Sequence, residues 1–461
     1  MHYEVIIIGA GMSGLAAGIR LAYFEKSVCI LEKHYAYGGL NSYYKRDGWE
    51  FDVGLHAVTN YAPRGARTGP LPKLLRQLRL KWDDFDLCPQ RFSEIHFPGR
   101  RLRFSNDIQL LGQEVAEQFP GDADNFQRLL EHIRAYDDTR YDHPYRATRP
   151  ILGEYLRDPM LVDMLLCPIM FYGSPQEHDL DFTHFVTLFK SLMCEGFARP
   201  RAGVRTIIKA LVRKYRACGG KLKMRCGVAG IQVNKGRVTG VTTDSGETLT
   251  ADVVLSSAGY PETMRLCSDE NGKRAPEECG RLSFVETIGI MDELPHRLGH
   301  EAAIVFYSDA ETFTYARPAE AVDITSGVIC CPSNYERHDD MPHGLFRMTW
   351  LANYDCWSGY DDATYAATKK LYYEKFVERA TECIPEFRRH VLYSDMFTPR
   401  TIRHYTGRIN GAVYGTPHKR RDGRTRVENL FICGTDQGYV GIVGAMLSGI
   451  LMANQHVLYT N

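Results

Sequence analysis

The sequence lacks the charge imbalance, the paired cysteines and the long apolar runs that often assign a protein to a class. Its 56 basic and 56 acidic residues balance over 461 residues, so the overall charge does not favour nucleic acid as a partner. Its 13 cysteines are odd in number and never adopt C-x-x-C spacing, which favours reduced thiols over a disulfide framework. The 16 histidines show no ligand spacing either, so we expect no metal site.

The sequence shows no apolar run typical of a membrane-spanning helix and no pattern typical of a signal peptide. The longest apolar stretch, residues 160–172, is interrupted by Asp163 and Pro168. It falls short of the roughly 20 residues that a spanning helix needs. The first predicted strand begins at residue 3, which leaves no space for a signal peptide. We therefore expect a cytoplasmic protein that is soluble or lies peripherally on the inner face of a membrane.

What the sequence does have is a complete dinucleotide-binding pattern near its start. Residues 5–8 form a predicted strand that is buried on both faces. Gly9 allows a tight turn, Gly11 lets the backbone approach a pyrophosphate, and Gly14 lets the next helix lie close to the strand. The start of that helix directs free N–H groups at the pyrophosphate. Glu32, at the end of a second predicted strand, is placed to bind an adenosine ribose.

A glycine pair, Gly38 and Gly39, follows Glu32 and lets the chain pass close to a bulky dinucleotide. The extended pattern resembles the FAD site of the glutathione reductase and amine oxidase clan, so the expected cofactor is FAD. Leu40 departs from that pattern, because many relatives have Arg there, and the change would remove a phosphate contact. The cofactor-binding residues predicted from this part of the chain are Gly9, Gly11, Met12, Ser13, Gly14, Glu32, Lys33, Gly38, Gly39, Leu40 and Asn41.

The predicted fold class is α/β: a Rossmann-like FAD-binding domain of the glutathione reductase/amine oxidase type with an inserted mixed α+β substrate domain. The FAD-binding domain is expected to be discontinuous, with residues 1–61, 202–264 and 397–461. The substrate domain would combine residues 62–201, which look mainly helical, with residues 265–396. Within this last segment we predict strands at 285–291, 303–307, 328–331 and 346–351. A helix is predicted to follow them at 363–383.

Five segments carry a resemblance to a known family. They are residues 48–56, 397–401, 411–415, 429–436 and 441–449. These segments are similar to motifs of the bacterial-type phytoene desaturase family, which includes carotenoid cis–trans isomerases and retinol saturases. The resemblance covers nearly the whole chain in domain order, but its sharp motifs lie in the predicted FAD-binding pieces.

The resemblance implies roles for further residues. Asp436 would hydrogen-bond the ribityl–diphosphate region of FAD, and Gly434 precedes it in the same motif. The backbone near Ile442 and Val443 would face the pyrimidine edge of the flavin from a helix N-terminus. Val228 would contact the adenine end through its backbone.

The same resemblance implies an FAD-dependent oxidoreductase that acts on carbon–carbon bonds of a long apolar polyene or an isoprenoid or carotenoid-like lipid. Desaturation, saturation and cis–trans isomerisation all stay open, because flavin chemistry runs in either direction. The alternatives are the same chemistry on a carrier-bound polyunsaturated acyl chain, a flavin amine oxidase, and a non-redox lipid escort resembling Rab GDP-dissociation inhibitors.

His56 and Tyr414 are the candidate catalytic residues. His56 lies in a segment expected to pass near the flavin, where it would act as an acid or base; a buried structural histidine is the alternative. Tyr414 would flank the flavin or line the substrate entrance, with core packing as the alternative.

Two segments are candidates for contact with apolar or anionic partners. Large apolar residues share a helical face within residues 185–193. With residues 160–172, this face would line a lipid tunnel, touch a membrane surface or belong to the core. The basic loop 419–426 would contact anionic lipid or the acidic carrier of an acyl chain, unless it is simply solvated.

Overall fold

The computed structural model describes residues 1–54, 56–140, 142–267 and 278–459. Leu55 of the 48–56 motif, residues 268–277 of the predicted substrate domain and the final residues 460–461 lie outside the described residues.

The elements alternate along the chain between two large sheets and the helices that cover them. The strands are β1 His2–Ile8, β2 Val28–Glu32, β3 Tyr43–Arg46, β4 Trp49–Asp52, β5 Leu87–Pro89, β6 Ser93–Phe97, β7 Arg100–Phe104, β8 Ala198–Pro200, β9 Lys221–Met224, β10 Val228–Asn234, β11 Arg237–Thr243, β12 Thr248–Ser256, β13 Ser283–Met291, β14 Ile304–Ser308, β15 Ser326–Cys330, β16 Gly344–Ala352, β17 Val391–Phe397 and β18 Leu430–Ile432. The α-helices are α1 Met12–Tyr23, α2 Pro70–Leu78, α3 Ile108–Gln118, α4 Ala123–Ala135, α5 Thr148–Tyr155, α6 Pro159–Gly173, α7 Phe182–Phe189, α8 Arg205–Ala217, α9 Tyr260–Leu266, α10 Tyr354–Gly359, α11 Asp362–Ala380, α12 Pro399–Thr406 and α13 Gly441–Ala453.

The first sheet has a parallel core in the order β18-β12-β1-β2-β9. An antiparallel hairpin, β10–β11, pairs with the start of β12. The side chains of residues 5–7 in the central strand β1 are fully buried, as expected for a parallel strand covered on both faces. Three separated parts of the chain build this one sheet, and the α/β architecture confirms the predicted fold class.

The second sheet has the order β17-β13-β16-β15-β14-β6-β7. Neighbouring strands are antiparallel except for β14 and β6, which are parallel. The four strands predicted between residues 285 and 351 correspond to β13–β16, and the helix predicted at 363–383 corresponds to α11.

Residues 62–201 carry the helices α2–α7, which agrees with the prediction of a mainly helical segment, and they also contain the β6–β7 hairpin, which was not predicted. These two strands pair with each other across Pro98 and Gly99 and join the edge of the second sheet. Apolar residues alternate with polar ones in both strands, a period that indicates a strand facing a core. The inward residues, each at most 5 % exposed, are Ile95, Phe97, Leu102 and Phe104.

The apolar face within residues 185–193 belongs to the core. Its five large side chains are at most 3 % exposed and pack in one apolar cluster with α4, α5 and α6. This face is therefore neither a tunnel wall nor a membrane-binding surface. In the other predicted apolar stretch, Phe171 and Tyr172 at the end of α6 do reach a cavity, which is described below.

The C-terminal helical segment, residues 441–458, is long and apolar enough by composition to cross a membrane, but 56 % of it is buried inside the fold. Its first part, α13, lies directly against α1. The contact is close because a Cβ atom at Gly449 would overlap the carbonyl oxygen of Ser13. The hydroxyl of Ser448 also accepts a hydrogen bond from the backbone N–H of Gly434 at 2.6 Å, so α13 is fixed both to α1 and to the turn after β18.

We predict that Gly449→Ala destabilises the fold by about 1–3 kcal/mol, because the added methyl group forces two packed helices apart. Gly153→Ala is the matched control, since a Cβ atom at Gly153 in α5 meets nothing within 4 Å. That control should raise stability by about 0.5–1 kcal/mol. Urea unfolding of the three proteins measures both effects, and equal stability of the two variants would contradict the packing argument.

Candidate active site

A cavity of about 560 Å³ lies between the first and the second sheet. One end is lined by the turn between β1 and α1, and the other by β13, β15, β16 and the end of α6. The predicted site residues that line it are Gly9, Gly11, Met12, Ser13, Glu32, Lys33, Gly38, Gly39, Leu40, Asn41, His56, Val228, Tyr414, Gly434 and Ile442.

The glycines of the first turn differ in what surrounds them. Gly9 has a φ of +95°, and a Cβ atom there would overlap the hydroxyl of Ser257. A Cβ atom at Gly14 would overlap the carbonyl oxygen of Gly9, so this glycine allows α1 to start close to the turn without lining the cavity. At Gly11 a Cβ atom would meet nothing within 4 Å. The backbone at Gly11 is therefore open to a ligand.

Glu32 is held by the same turn. Its carboxylate accepts hydrogen bonds from the backbone N–H groups of Ala10 at 2.7 Å and His34 at 2.8 Å. These contacts fix the acid at the end of β2, on the wall of the cavity. The helix α1 begins next to it with no side-chain hydrogen bond at its N-cap and no acidic residue in its first turn, so its first N–H groups remain available to a ligand.

Asp436 does not line the cavity but lies beneath its wall. Its carboxylate is fully buried and accepts hydrogen bonds from the backbone N–H groups of Tyr260 at 2.6 Å and Thr416 at 2.9 Å. The guanidinium of Arg408 lies 3.3 Å away. Burial by itself would raise the pKa of Asp436, but Arg408 and Lys419 outweigh it and hold that pKa below its usual range. In this structure the acid therefore orders the surrounding loops, and its predicted ribityl contact stays a prediction.

The helix α13 presents its start to the cavity. Gly441 has a φ of +73° and lines the cavity with Ile442. Val443 is fully buried behind them and packs in the core of the first sheet. The backbone of Val443 is predicted to face the pyrimidine edge of the flavin, and this role stays a prediction.

Three arginines of the wall escaped the sequence analysis: Arg265, Arg403 and Arg408. Arg408 is buried and lies between the carboxylates of Asp436 and Glu262. The cavity therefore has guanidinium groups even though Leu40 stands where an arginine is common. No local motif marks these residues, because α9 and the segment after α12 meet only in the folded chain.

At the second-sheet end, a buried polar group surrounds His56. The Nε2 atom of His56 lies 3.1 Å from the hydroxyl of Thr349 and 3.4 Å from a carboxylate oxygen of Glu286. Arg347 donates a hydrogen bond to the other carboxylate oxygen of Glu286. Burial alone would raise the pKa of Glu286, but the Arg347 guanidinium and His56 more than offset it and hold that pKa at about 2.

Arg347 also joins this group to the first part of the chain. It donates a second hydrogen bond to the carbonyl oxygen of Asp52 at 3.0 Å. The carboxylate of Asp52 in turn pairs with Arg199 at 2.6 Å, with both side chains 5 % exposed. Asp52 is therefore one member of a buried ion pair that lies next to the segment that carries His56.

Aromatic side chains form most of the remaining wall. Phe171, Tyr172, Phe284 and Tyr414 all line the cavity, and the rings of Phe284 and Tyr414 meet edge to face at 5.8 Å. The Tyr414 hydroxyl donates a hydrogen bond to the carbonyl oxygen of Phe171, and burial raises the pKa of this hydroxyl. Tyr414 is therefore a wall residue whose hydroxyl is already engaged, and this geometry favours packing over proton transfer.

The basic loop 419–426 turns part of its charge inward. The ammonium of Lys419 donates to the carbonyl oxygen of Tyr414 at 2.6 Å, and burial lowers the pKa of Lys419 to about 8. Arg421 lies 3.4 Å from Asp181. These two residues support the fold, while Arg424 stays at the surface. Among the described ranges, no cluster of His, Cys, Asp or Glu is placed to hold a metal ion.

A comparison with protein families decides what kind of protein this cavity belongs to. The family model for flavin-containing amine oxidoreductases matches residues 12–456. The chain belongs to this family.

The curated relatives of this flavin-containing amine oxidoreductase include enzymes named for polyenes. The all-trans-retinol 13,14-reductase of Danio rerio is 23 % identical over 99 % of this chain and 86 % of its own length. Prolycopene isomerase 2 of an Oncidium hybrid cultivar is 20 % identical over 98 % of this chain and 84 % of its own length. These relatives confirm the family resemblance found in the sequence motifs.

Solved structures share the fold of this oxidoreductase at low identity. An oxidoreductase from Methanosarcina mazei matches with a TM-score of 0.68 at 16 % identity, covering 98 % of this chain and 99 % of that one. Putrescine oxidase bound to putrescine matches with a TM-score of 0.62 at 16 % identity, covering 99 % of both chains. The Rab GDI of Plasmodium falciparum matches with a TM-score of 0.56 at 12 % identity, covering 99 % and 98 %. At these identities the matches show the fold alone.

Family membership implies a flavin cofactor, and the cavity fits one. The open backbone at Gly11 and the uncapped start of α1 suit an anionic phosphate linkage. We predict that Gly11→Ala keeps the unliganded fold but weakens flavin binding at least about tenfold, equivalent to about 1.4 kcal/mol. The new methyl group would meet no protein atom and would occupy the ligand's space.

Flavin titration followed by absorbance measures the Gly11→Ala effect, and urea unfolding checks the unliganded fold. Gly359→Ala is the control, because a Cβ atom there also meets nothing within 4 Å and the residue lies away from the cavity. Undiminished flavin affinity in Gly11→Ala would contradict the placement of the cofactor.

The ion pair at Glu286 predicts how stability depends on pH. Its folded-state pKa of about 2 lies below the ordinary value of 4.5, so the stabilisation is complete above pH 4.5. It is then lost progressively as the pH falls toward 2. The loss is on the order of 3 kcal/mol. Urea unfolding between pH 6 and pH 3 should show a steeper decline in the wild type than in Glu286→Gln; parallel curves would be inconsistent with this pair.

Proposed function

We propose that the protein is an FAD-dependent oxidoreductase that acts on carbon–carbon bonds of a long apolar polyene or isoprenoid lipid. The observation that carries this proposal is the single cavity with two unlike ends. A turn suited to a phosphate linkage lies at one end, and the aromatic side chains of Phe171, Tyr172 and Phe284 lie at the other. The names of the retinol reductase and the prolycopene isomerase among the relatives support a polyene as the substrate class.

The extent of the cavity supports FAD over a mononucleotide. Glu32, Lys33 and Val228 line the cavity at the end of β2 and the start of β10, where the adenosine half would lie, while Ile442 lines it at the start of α13 and Tyr414 in the loop before β18. A carboxylate fixed at the end of the second parallel strand is the usual partner of an adenosine ribose. In this proposal Val228 contacts the adenine end, Ile442 and Val443 face the flavin ring, and Asp436 supports the ribityl region.

A bound flavin supplies the redox capacity, since it exchanges a hydride or single electrons with the substrate. The chain's own residues bind the hydrocarbon, exclude water and hold a proton-transfer group. The apolar groups of Phe284 and Val328 stand in the same wall as His56, so an alkene beside them would lie close to the His56 ring.

Amine oxidation and chemistry on a carrier-bound acyl chain are the alternatives. Glu286 is already paired with Arg347, so this carboxylate does not offer a separate counter-charge to an ammonium group. An acidic carrier or an anionic membrane surface would meet the exposed Arg424 of the basic loop. Such contacts, and a location on the inner face of a membrane, belong to this proposal and await their own tests.

The proposal is tested by anaerobic incubation of the FAD-loaded protein, oxidised and reduced in parallel, with retinol, carotenes and shorter isoprenoids. We expect a mass change of one hydrogen pair in one of the two redox states, or an unchanged mass with altered chromatographic retention. The first result identifies a desaturase or saturase, and the second an isomerase. The protein without flavin is the control.

Amines and carrier-bound polyunsaturated acyl chains are assayed alongside. Peroxide release with amines, or conversion of carrier-bound acyl chains while every free polyene is unchanged, would overturn the polyene proposal in favour of that alternative.

A further inference from the structure

The polar group around His56 is ordered by the register of the second sheet. Glu286 in β13 stands directly opposite Thr349 in β16, and Thr349 stands opposite Val328 in β15. Facing residues of neighbouring antiparallel strands project from the same face. These three side chains therefore form one row along the cavity wall, where His56 lies against them.

The two ring nitrogens of His56 have different surroundings. Nε2 lies near both Glu286 and Thr349, at 3.4 Å and 3.1 Å. Nδ1 has no hydrogen-bond partner in the part of the chain that the structure describes. A carboxylate next to one nitrogen of a neutral imidazole favours the proton on that nitrogen and leaves the lone pair on the other.

We propose that Glu286 is a positioning residue that holds the proton of neutral His56 on Nε2, so that Nδ1 is the atom that accepts or returns a proton during the reaction. The proton-transfer role of Nδ1 rests on the proposed function, because that function supplies the reaction in which Nδ1 takes part. The inferred tautomer does not depend on the substrate.

Glu286 is suited to this role because it stays ionised. Arg347 donates to the oxygen that does not face His56, which leaves the second oxygen for the ring. Tyr335 and Cys330 donate to the backbone oxygen of His56, so they fix the backbone and leave the ring free.

The other titratable groups around His56 stay neutral near neutral pH. Burial raises the pKa of the Cys330 thiol to about 12 and raises the pKa values of the nearby tyrosines. Among the described residues, the charged groups next to the ring are Glu286 and its partner Arg347, and the Asp52–Arg199 ion pair is joined to them through Arg347. The tyrosines near His56 whose pKa values burial raises are Tyr172, Tyr335 and Tyr414.

The proton transfer balances in the desaturating direction. Two C–H bonds of the substrate break and one π bond forms. A bound oxidised flavin would supply the acceptor for one hydrogen and its electron pair, the other hydrogen would leave as a proton to Nδ1, and the electrons of that second bond would form the π bond. In the saturating direction Nδ1 returns the proton.

The first test reads the tautomer directly in the FAD-loaded protein. Nitrogen-15 NMR of histidine-labelled protein, with His56→Gln for assignment, should show neutral His56 protonated on Nε2. Glu286→Gln should shift the ring toward a mixture of the two tautomers. Glu94→Gln is the matched control: this buried glutamate of β6 pairs with His96 at 2.8 Å, and neither residue lines the cavity. A proton on Nδ1 in the wild type, or no change in Glu286→Gln, would overturn the inference.

The second test is kinetic and uses a polyene that the wild type converts. Glu286→Gln should lower kcat about 100-fold with KM within about twofold, because the substrate meets the ring and not the carboxylate. Unchanged kcat in Glu286→Gln, or an equal loss in Glu94→Gln, would count against a positioning role.

Failure of this inference is distinguishable from failure of the proposed function. If the wild type converts no polyene, the proposed function fails and the proton-transfer role of Nδ1 fails with it, whatever the NMR arm shows. If the wild type converts a polyene and Glu286→Gln keeps both the tautomer and kcat, the inference fails while the function stands.

Discussion

The buried guanidinium of Arg347 joins the second sheet to the segment that leads to His56. It donates to Glu286 in β13 and to the carbonyl oxygen of Asp52, the last residue of β4. A buried charge is tolerated only when its partners are held in place. The segment that follows Asp52, including His56, is therefore fixed against the second sheet. This segment and Glu286 both reach the cavity wall, where His56 and Glu286 lie.

The second constraint is the unequal polarity of the cavity's two ends. The first sheet brings the starts of α1 and α13 to its end of the cavity, and Arg408 lies near them. The second sheet brings aromatic and aliphatic side chains, with charges only as a neutralised pair. An elongated anionic cofactor and an apolar substrate are the ligands that match these two ends.

Local signals were enough to predict the first sheet's turn and much of the second sheet. The glycine pattern specifies a turn whose contacts lie within about thirty residues, and Gly9, Gly11 and Glu32 lie on the cavity wall as expected. The β6–β7 hairpin gives only a weak local signal although Leu102 and Phe104 alternate with arginines, because its strands are five residues each and β6 pairs with the distant strand β14.

Contacts between distant segments could not be predicted in the same way. Glu286 and Arg347 are isolated charges in apolar strands, which is a signal that each needs a partner. Their pairing depends on the register of β13 and β16, which periodicity does not determine. Asp436 follows its family motif, yet its carboxylate points at Tyr260 and Thr416 rather than into the cavity. The direction of this carboxylate depends on how α9 packs against the loop before β18.

The claim at the centre of this account is that cofactor and apolar substrate share one cavity. The most direct measurement is the change in the absorption spectrum of the bound flavin as a polyene is titrated into the FAD-loaded protein. Val413→Trp narrows the cavity, while Val391→Trp enlarges a half-buried valine of β17 outside it. The account predicts a saturable spectral change in the wild type and in Val391→Trp, and at least about tenfold weaker binding in Val413→Trp with the flavin retained. A wild type without a saturable change, or equal polyene affinity in both variants, would contradict it.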